Sequence, residues 1–236
     1  MLAVENIDVY YGKVQALHGV SMKMEGNDII SVIGANGAGK TTLMKTVMGI
    51  NKPKNGTISF NGKVISGMPA HRIVRESIVY VPEGREIFPE MSVYENLLMG
   101  AYSKKYTNAQ LSEKVDQMYD LFPRLRERAK QSAGSLSGGE QQMLAVARGL
   151  MSSPKLIMFD EPSLGLAPVI VDDLFDIIVR INQELHIPIV LVEQNAFMAM
   201  SISKKTYVLE QGRIVAEGAS QELMNSPEIK SAYLGG

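Results

Sequence analysis

The most constraining feature of the sequence is the stretch Gly34-Ala-Asn-Gly-Ala-Gly-Lys-Thr41, which fits the pattern G-x-x-x-x-G-K-[ST]. Before it, Ile29 to Ile33 is an apolar, β-branched run of strand length. After it, Thr42 to Met48 carries apolar residues at near-helical spacing, and Gly49 provides a stop. A strand that ends in a glycine-rich turn and opens a helix forms a cradle for polyphosphate. The stretch therefore predicts a P-loop.

The residues of this loop have distinct expected roles. The backbone N–H groups of the turn face phosphate oxygens, and the helix N-terminus adds partial positive charge. Lys40 can reach the outer phosphates, and the Thr41 hydroxyl can take a coordination position of Mg²⁺. The predicted nucleotide-binding residues are Gly34, Ala35, Asn36, Gly37, Ala38, Gly39, Lys40, Thr41 and Thr42.

A second chemical signal follows the apolar run Leu156 to Phe159, which reads as a buried strand and ends in Asp160 and Glu161. Ligands bind at the carboxyl ends of strands in α/β sheets. Asp160 suits a Mg²⁺ ion held beside Thr41, with water between them. Glu161 points elsewhere and can polarise an attacking water as a general base. We therefore predict Asp160 at the metal and Glu161 in catalysis.

Composition limits the class of protein. The 236 residues are 45% hydrophobic and 21% charged, which is ordinary for one globular domain. The net charge of −1 gives no general attraction for nucleic acid or anionic lipid. The chain has no cysteine, so thiolate metal sites and disulfides are excluded. We find no apolar run near the length of about eighteen residues that a membrane span needs, so we expect membrane contact only through partners.

A third stretch, Leu136-Ser-Gly-Gly-Glu-Gln-Gln142, opens a helix. Ser137 and Glu140 form a capping-box pattern, and the following apolar residues repeat at helical spacing. Two glycines in the first turn lower helix stability by about 1 kcal/mol each relative to alanine. They would be useful if a phosphate approached the backbone there, so the stretch is either a well-capped helix or a second phosphate contact.

The remaining patterns predict strands near residues 2–11, 14–24, 77–81 and 187–192, a hairpin of strands 206–210 and 213–216, and helices near 69–75, 92–99, 111–122, 168–185, 195–202 and 220–224. A helical insertion thus separates two α/β portions. Tyr11 could stack on adenine, although a half-buried strand tyrosine is the commoner arrangement.

The P-loop, the Leu-Ser-Gly-Gly-Glu stretch and the Asp160-Glu161 pair, in this order, resemble the ATP-binding subunits of ABC transporters over essentially the whole chain. The resemblance implies a P-loop NTPase fold: a RecA-like α/β core with an antiparallel β portion (about residues 1–87 and 153–236) and an inserted helical subdomain (about 88–152). It also implies ATP and Mg²⁺ as cofactors and Tyr11 as the adenine-stacking residue. In head-to-tail dimers, Ser137, Gly138 and Gly139 would contact the ATP of the partner subunit.

Three positions depart from the usual pattern of these ATPases. Glu83 stands where a glutamine commonly senses the γ-phosphate and the metal, so we predict that it contributes to the metal site. Ala167 replaces an aspartate, and Gln194 stands where a histidine is usual. A glutamine cannot act as a base near neutral pH, so Gln194 is expected to hold the γ-phosphate or the water.

Four further stretches, Pro-Glu-Gly-Arg85, Pro-Ser-Leu-Gly-Leu-Ala-Pro168, Val-Glu-Gln-Asn195 and the closing Ser-Ala-Tyr-Leu-Gly-Gly236, resemble the LivF-type ATPases of bacterial branched-chain amino acid importers. This resemblance implies permease subunits that dock between Arg85 and Gly100, a second ATP-binding subunit and, indirectly, a solute-binding protein. It places the chain at the cytoplasmic face of the membrane, as a peripheral subunit.

Alternatives are an importer of a related solute such as urea or an amide, and a lipid-export ATPase. A nucleic-acid-linked ABC ATPase is disfavoured, because the segment from Lys40 to Ser137 is too short for the long coiled coil that such proteins carry there.

Overall fold

The structure, a computed structural model, describes residues 1–233. The end of the closing motif, residues 234–236, lies outside the described residues. The strands are β1 (Leu2–Tyr11), β2 (Val14–Met24), β3 (Ile29–Ile33), β4 (Asn55–Phe60), β5 (Lys63–Val64), β6 (Ile78–Val81), β7 (Leu156–Asp160), β8 (Ile189–Glu193), β9 (Lys205–Glu210) and β10 (Arg213–Ala219). The helices are α1 (Lys40–Val47), α2 (Ala70–Arg75), α3 (Val93–Gly100), α4 (Asn108–Leu121), α5 (Pro123–Glu127), α6 (Gly138–Leu150), α7 (Pro168–Leu185), α8 (Ala196–Ile202), α9 (Ser220–Asn225) and α10 (Pro227–Tyr233).

The central sheet has six strands in the order β10-β9-β3-β8-β7-β6. The strands from β9 to β6 run parallel, and β10 pairs antiparallel with β9 at one edge. The strands β3, β7 and β8 are buried along their whole length, as expected for parallel strands that are covered on both faces. Because the strands run parallel, the loops that follow β3, β6, β7 and β8 all leave the same edge of the sheet.

The two faces of this sheet build two separate parts of the core. Alternate residues of a strand point to opposite faces. In β3, Ile29 and Ile33 therefore pack on the side of α6, α7 and α8, whereas Ile30 and Val32 pack on the side of α1 and the antiparallel strands. Strands β7 and β8 alternate in the same way. The result is a layered α/β architecture with the central sheet in the middle.

A four-stranded antiparallel sheet, in the order β2-β1-β4-β5, covers one face of the central sheet. Tyr207 of β9 joins the two sheets, because its buried hydroxyl accepts a hydrogen bond from the Lys23 N–H and donates one to the Lys23 carbonyl, each at 2.9 Å. The predicted antiparallel β portion is present in the fold.

The helices between β6 and β7 follow the predicted insertion, with small differences. Capping boxes open α3 at Ser92 and α6 at Ser137, as the sequence predicts. Helix α4 begins at Asn108 rather than Leu111, because Thr107 and Gln110 form a third capping box that was not predicted. The short helix α10 was also not predicted. Among the helices of residues 1–233, none has the length and apolarity required to cross a bilayer.

Candidate nucleotide site

The site lies where the central strands end at a common level. In the parallel register, Asp160 of β7 pairs with Val192 of β8, and Ile33 of β3 pairs with Glu193 of β8. The P-loop after β3 and the Asp160-Glu161 pair after β7 are thereby brought together, although more than a hundred residues separate them in the sequence.

The P-loop is shaped by two glycines that no larger residue can replace without distortion. Gly39 has a φ of 109°, in the left-handed region that side chains avoid. Gly34 packs so closely on β9 that a Cβ atom would lie 2.2 Å from the Leu209 carbonyl oxygen. The loop then leads directly into α1, whose first residue is Lys40.

Lys40 is the best-connected side chain of the site. Its side chain is only 3% exposed, and Nζ donates hydrogen bonds to the carbonyls of Gly34 at 2.7 Å and Ala35 at 3.0 Å. The same Nζ lies 3.0 Å from Oε1 of Glu161, whose side chain is 10% exposed. A buried ammonium and a buried carboxylate thus compensate each other in a position where a phosphate could replace the carboxylate as partner.

The predicted metal residues also meet. The Thr41 hydroxyl donates to Oδ1 of the fully buried Asp160 at 3.2 Å, and the Tyr80 hydroxyl donates to Oδ2 at 2.7 Å. Burial raises the pKa of Asp160, and the two hydrogen bonds act against that rise. A hydroxyl and a carboxylate oxygen are hard ligands of the kind that Mg²⁺ prefers, so these two residues fit the ion.

Glu161 has an unusual backbone, with a φ of 48° that few non-glycine residues adopt. Strand β8 holds this turn on both sides. The Glu161 N–H donates to the Val192 carbonyl at 2.8 Å, and Ser163 donates to the Glu193 carboxylate from its N–H at 3.1 Å and its hydroxyl at 2.9 Å. Glu193 is buried, and burial raises its pKa despite the hydrogen bonds from Ser163.

Gln194 follows β8 directly and is exposed. It lines a small cavity together with Glu161 and Gly165. Gln194 and the predicted general base therefore face the same cavity.

A larger cavity of about 460 Å³ opens over the P-loop, lined by Gly37, Gly39, Lys40, Thr41 and Thr42 and, from other segments, by Val14, Gln15, Ala16, Glu161, Gln211 and Gly212. Tyr11 lies at its margin. The Tyr11 side chain is half exposed. Its hydroxyl lies 3.4 Å from the Thr42 hydroxyl and accepts a hydrogen bond from the Asn51 side-chain amide at 2.7 Å. The stacking of Tyr11 on adenine stays a prediction.

The stretch around Ser137 is placed differently. The Ser137 hydroxyl accepts from the Glu140 N–H and caps α6, while Ser137 and Gly139 line a separate cavity between α5, α6 and α7. Packing within the chain is tight at Gly139 and less restrictive at Gly138, where the neighbour is the end of a flexible side chain. A Cβ atom on Gly139 would lie 2.7 Å from Ile170, and one on Gly138 would lie 3.2 Å from the guanidinium of Arg85.

Glu83 follows β6 and is exposed at the same edge of the sheet. Its charge acts on the Tyr80 hydroxyl, whose pKa is raised mainly by burial and by Asp160. Within residues 1–233, no group of three or more His, Asp or Glu side chains could hold a metal ion. Any Mg²⁺ here would therefore need oxygen ligands from the nucleotide and from water, which is usual for this ion.

Tyr80 and Glu193 were not predicted as members of the site. Both signals were present in the sequence, since each is a polar residue within an apolar strand that leads to the functional edge. Their partners, however, depend on the register between parallel strands, which the sequence pattern does not give.

The sequence is similar to those of known transport proteins. Residues 17–164 match the family model described as ABC transporter. Over the full length of both chains, the sequence is 47% identical to the high-affinity branched-chain amino acid transport ATP-binding protein BraG of Pseudomonas aeruginosa. It is 34% identical to the probable branched-chain amino acid transport ATP-binding protein LivF of Archaeoglobus fulgidus, covering 100% of this chain and 99% of the relative.

The fold is also similar to that of a known ATP-binding cassette. A crystal structure of an ATP-binding cassette of an ABC transporter in its ADP conformation superposes with a TM-score of 0.85 at 29% identity, covering 100% of this chain and 99% of that one. The expected P-loop NTPase fold is thereby confirmed. The chain belongs to the ABC transporter family and is one of its ATP-binding cassettes.

Proposed function

We propose that the chain hydrolyses ATP to drive the uptake of branched-chain amino acids, as one ATP-binding subunit of an importer. The observation that carries the proposal is the convergence of Lys40, Thr41, Asp160 and Glu161 at one edge of the central sheet. The specific solute is supported by the relatives BraG and LivF, both of which are described as branched-chain amino acid transport proteins.

The proposed chemistry assigns one task to each side chain. ATP enters the cavity over the P-loop, and Lys40 exchanges its ion pair with Glu161 for the outer phosphates. Thr41 and Asp160 would hold Mg²⁺, which neutralises charge on the phosphates. Glu161, released from Lys40, accepts a proton from the attacking water, and Gln194 orients that water or the γ-phosphate by hydrogen bonding.

Ser137, Gly138 and Gly139 have a proposed role in a second subunit. Ser137 and Gly139 line a cavity separate from the one over the P-loop, so we assign the three residues to the ATP of a partner cassette. The N-terminus of α6 presents free N–H groups there, which suits a phosphate. We propose a head-to-tail dimer with a second, different ATP-binding subunit, in which residues 88–152 form the helical subdomain that carries these groups.

The permease subunits have a proposed docking site in a groove of about 560 Å³ between β6, α3 and α6. Its lining is mostly apolar and includes the exposed side chains of Phe88, Met99 and Tyr102. The lining includes both ends of the predicted docking segment, Arg85 and Gly100. Through such subunits the chain would sit at the cytoplasmic face of the membrane.

The test is reconstitution of the chain with its permease subunits, its partner ATPase and a solute-binding protein in liposomes. We expect ATP-dependent uptake of radiolabelled leucine, and none when Glu161→Gln replaces the native chain. Uptake of urea instead of leucine would assign the chain to a related importer. A complex that exports lipid, or a stable complex whose only ATPase is this chain, would contradict the proposal.

A further inference from the structure

We infer that Tyr80 is a positioning residue for the metal site, because it fixes the orientation of the Asp160 carboxylate toward Mg²⁺. The inference rests on the proposed MgATP site and deepens it. Tyr80 lies on β6, and Asp160 ends the neighbouring strand β7. Neither the P-loop motif nor the carboxylate pair identifies this tyrosine.

The two oxygens of Asp160 have different partners. Oδ1 accepts a hydrogen bond from Thr41, the residue expected to coordinate the metal directly, while Oδ2 accepts one from the Tyr80 hydroxyl at 2.7 Å. Turning the plane of the carboxylate out of this orientation would break both hydrogen bonds. The Tyr80 hydroxyl therefore keeps one oxygen of Asp160 directed toward Thr41, where the ion would lie.

The hydrogen bond from Tyr80 to Asp160 is shielded from solvent. Asp160 is fully buried and Tyr80 is partly buried between β7 and the groove of the proposed permease site. Partners that orient a metal-binding carboxylate commonly change metal affinity by about 10- to 100-fold when they are removed. Because phenylalanine has the same ring, Tyr80→Phe removes this one hydroxyl and keeps the packing.

The position of the Tyr80 ring gives the inference a further consequence. The ring forms part of the groove wall, together with Met99 and Arg148, while the hydroxyl reaches the metal-side carboxylate. One side chain therefore spans the distance between the groove and Asp160.

The test compares the full-length chain with Tyr80→Phe in a titration with Mg²⁺, using a fluorescent ATP analogue to measure binding. We expect the Mg²⁺ concentration for half-maximal effect to rise about 10-fold in the variant. Binding of the analogue in EDTA should stay within about twofold of the wild type, since the Tyr80 hydroxyl donates its hydrogen bond to Asp160 and not to the P-loop. The matched control is Tyr106→Phe, which removes a hydroxyl that bonds Met151 and Ser153 instead.

The outcomes distinguish the role of Tyr80 from the proposed function itself. An unchanged Mg²⁺ requirement in Tyr80→Phe, or an equal shift in Tyr106→Phe, would overturn the inference. A parallel loss of binding in EDTA would also overturn it, because a general structural role affects both conditions. Failure of the wild type to bind the analogue with Mg²⁺ would contradict the proposed function itself.

Discussion

Lys40 and Glu161 form a buried ion pair, with Nζ 3.0 Å from Oε1. The residue expected to bind phosphate is therefore paired with the expected general base. The pair holds the lysine inside the P-loop and keeps the carboxylate from water. In the proposed mechanism, a phosphate replaces Glu161 as the partner of Lys40, and the carboxylate then becomes available to water. The proposal thus links preparation of the base to the binding of its substrate.

Removing Lys40 should have two effects. Lys40→Ala should abolish detectable ATP binding, because the cavity loses its cation. It should also lower the free energy of unfolding by about 3 kcal/mol, because Glu161 is left as a buried charge without a partner. Isothermal titration and urea unfolding measure the two effects. The double variant Lys40→Ala/Glu161→Gln should regain part of the stability but no ATP binding, and ATP affinity like that of the wild type in Lys40→Ala would contradict the assignment.

Substitutions of Glu161 and of Gln194 should have different effects on ATP hydrolysis. Glu161→Gln keeps a hydrogen-bond acceptor for Lys40, so it should bind ATP while hydrolysing it about 100-fold more slowly, the usual size of a general-base contribution. Gln194→His should retain measurable activity, because imidazole can replace the hydrogen bond of the amide. Single-turnover hydrolysis in the assembled complex distinguishes them. A normal rate in Glu161→Gln together with an inactive Gln194→Ala would reverse the assignment.

The exposed Glu83 should affect the metal rather than the nucleotide. Its carboxylate adds negative charge at the functional edge, which is favourable only near a cation. Glu83→Ala should therefore weaken Mg²⁺ binding in the ATP-bound form, measured by Mg²⁺ titration, with ATP binding in EDTA unchanged. Glu90→Ala, an exposed carboxylate further along the same loop, is the control. An unchanged Mg²⁺ affinity in Glu83→Ala would remove Glu83 from the metal site.

Glu193 gives a prediction on pH. Because burial raises the pKa of Glu193 in the folded chain above its ordinary value of 4.5, its ionisation weakens the fold as the pH rises through the raised pKa. Glu193→Gln cannot ionise. The free energy of unfolding of the variant, minus that of the wild type, should therefore increase with pH above 4.5 and then level off. Urea unfolding at a series of pH values up to about 8 measures it.

The control for this prediction has the opposite sign. A hydrogen bond from Arg180 lowers the pKa of the exposed Glu184, so the wild type gains stability from this group as the pH rises. Glu184→Gln should show a small difference that decreases with pH. A difference for Glu193→Gln that is flat, or that falls as for Glu184→Gln, would contradict a raised pKa of Glu193.

The groove should be required for assembly but not for nucleotide binding. Met99→Glu places a charge on the apolar lining of the groove and should reduce copurification with the permease subunits by at least about 10-fold, since burying an unpaired charge is costly. The matched control, Val64→Glu, changes an exposed apolar residue on β5, outside the groove. Equal loss in both variants would show that the surface charge alone disturbs assembly.

Local signals explain which elements could be predicted. Ser92 and Ser137 cap their helices through residues three positions away, so the capping boxes are visible in the sequence and are confirmed. Thr107 shows the same pattern with Gln110 and was missed because the apolar periodicity of that helix begins later. By contrast, the contact of Tyr80 with Asp160 and that of Ser163 with Glu193 arise from strand register, which acts between distant segments.

The position of β3 in the sheet has a consequence for how the protein is made. Both hydrogen-bonded neighbours of β3, the strands β8 and β9, come from the last quarter of the chain. At about 5–20 residues per second, a ribosome needs roughly ten seconds or more to proceed from the P-loop strand to its partners. During that interval Ile29 to Ile33 is an apolar strand with two open edges, which favours aggregation. Both edges of this strand are therefore covered only once the chain has been synthesised to residue 210.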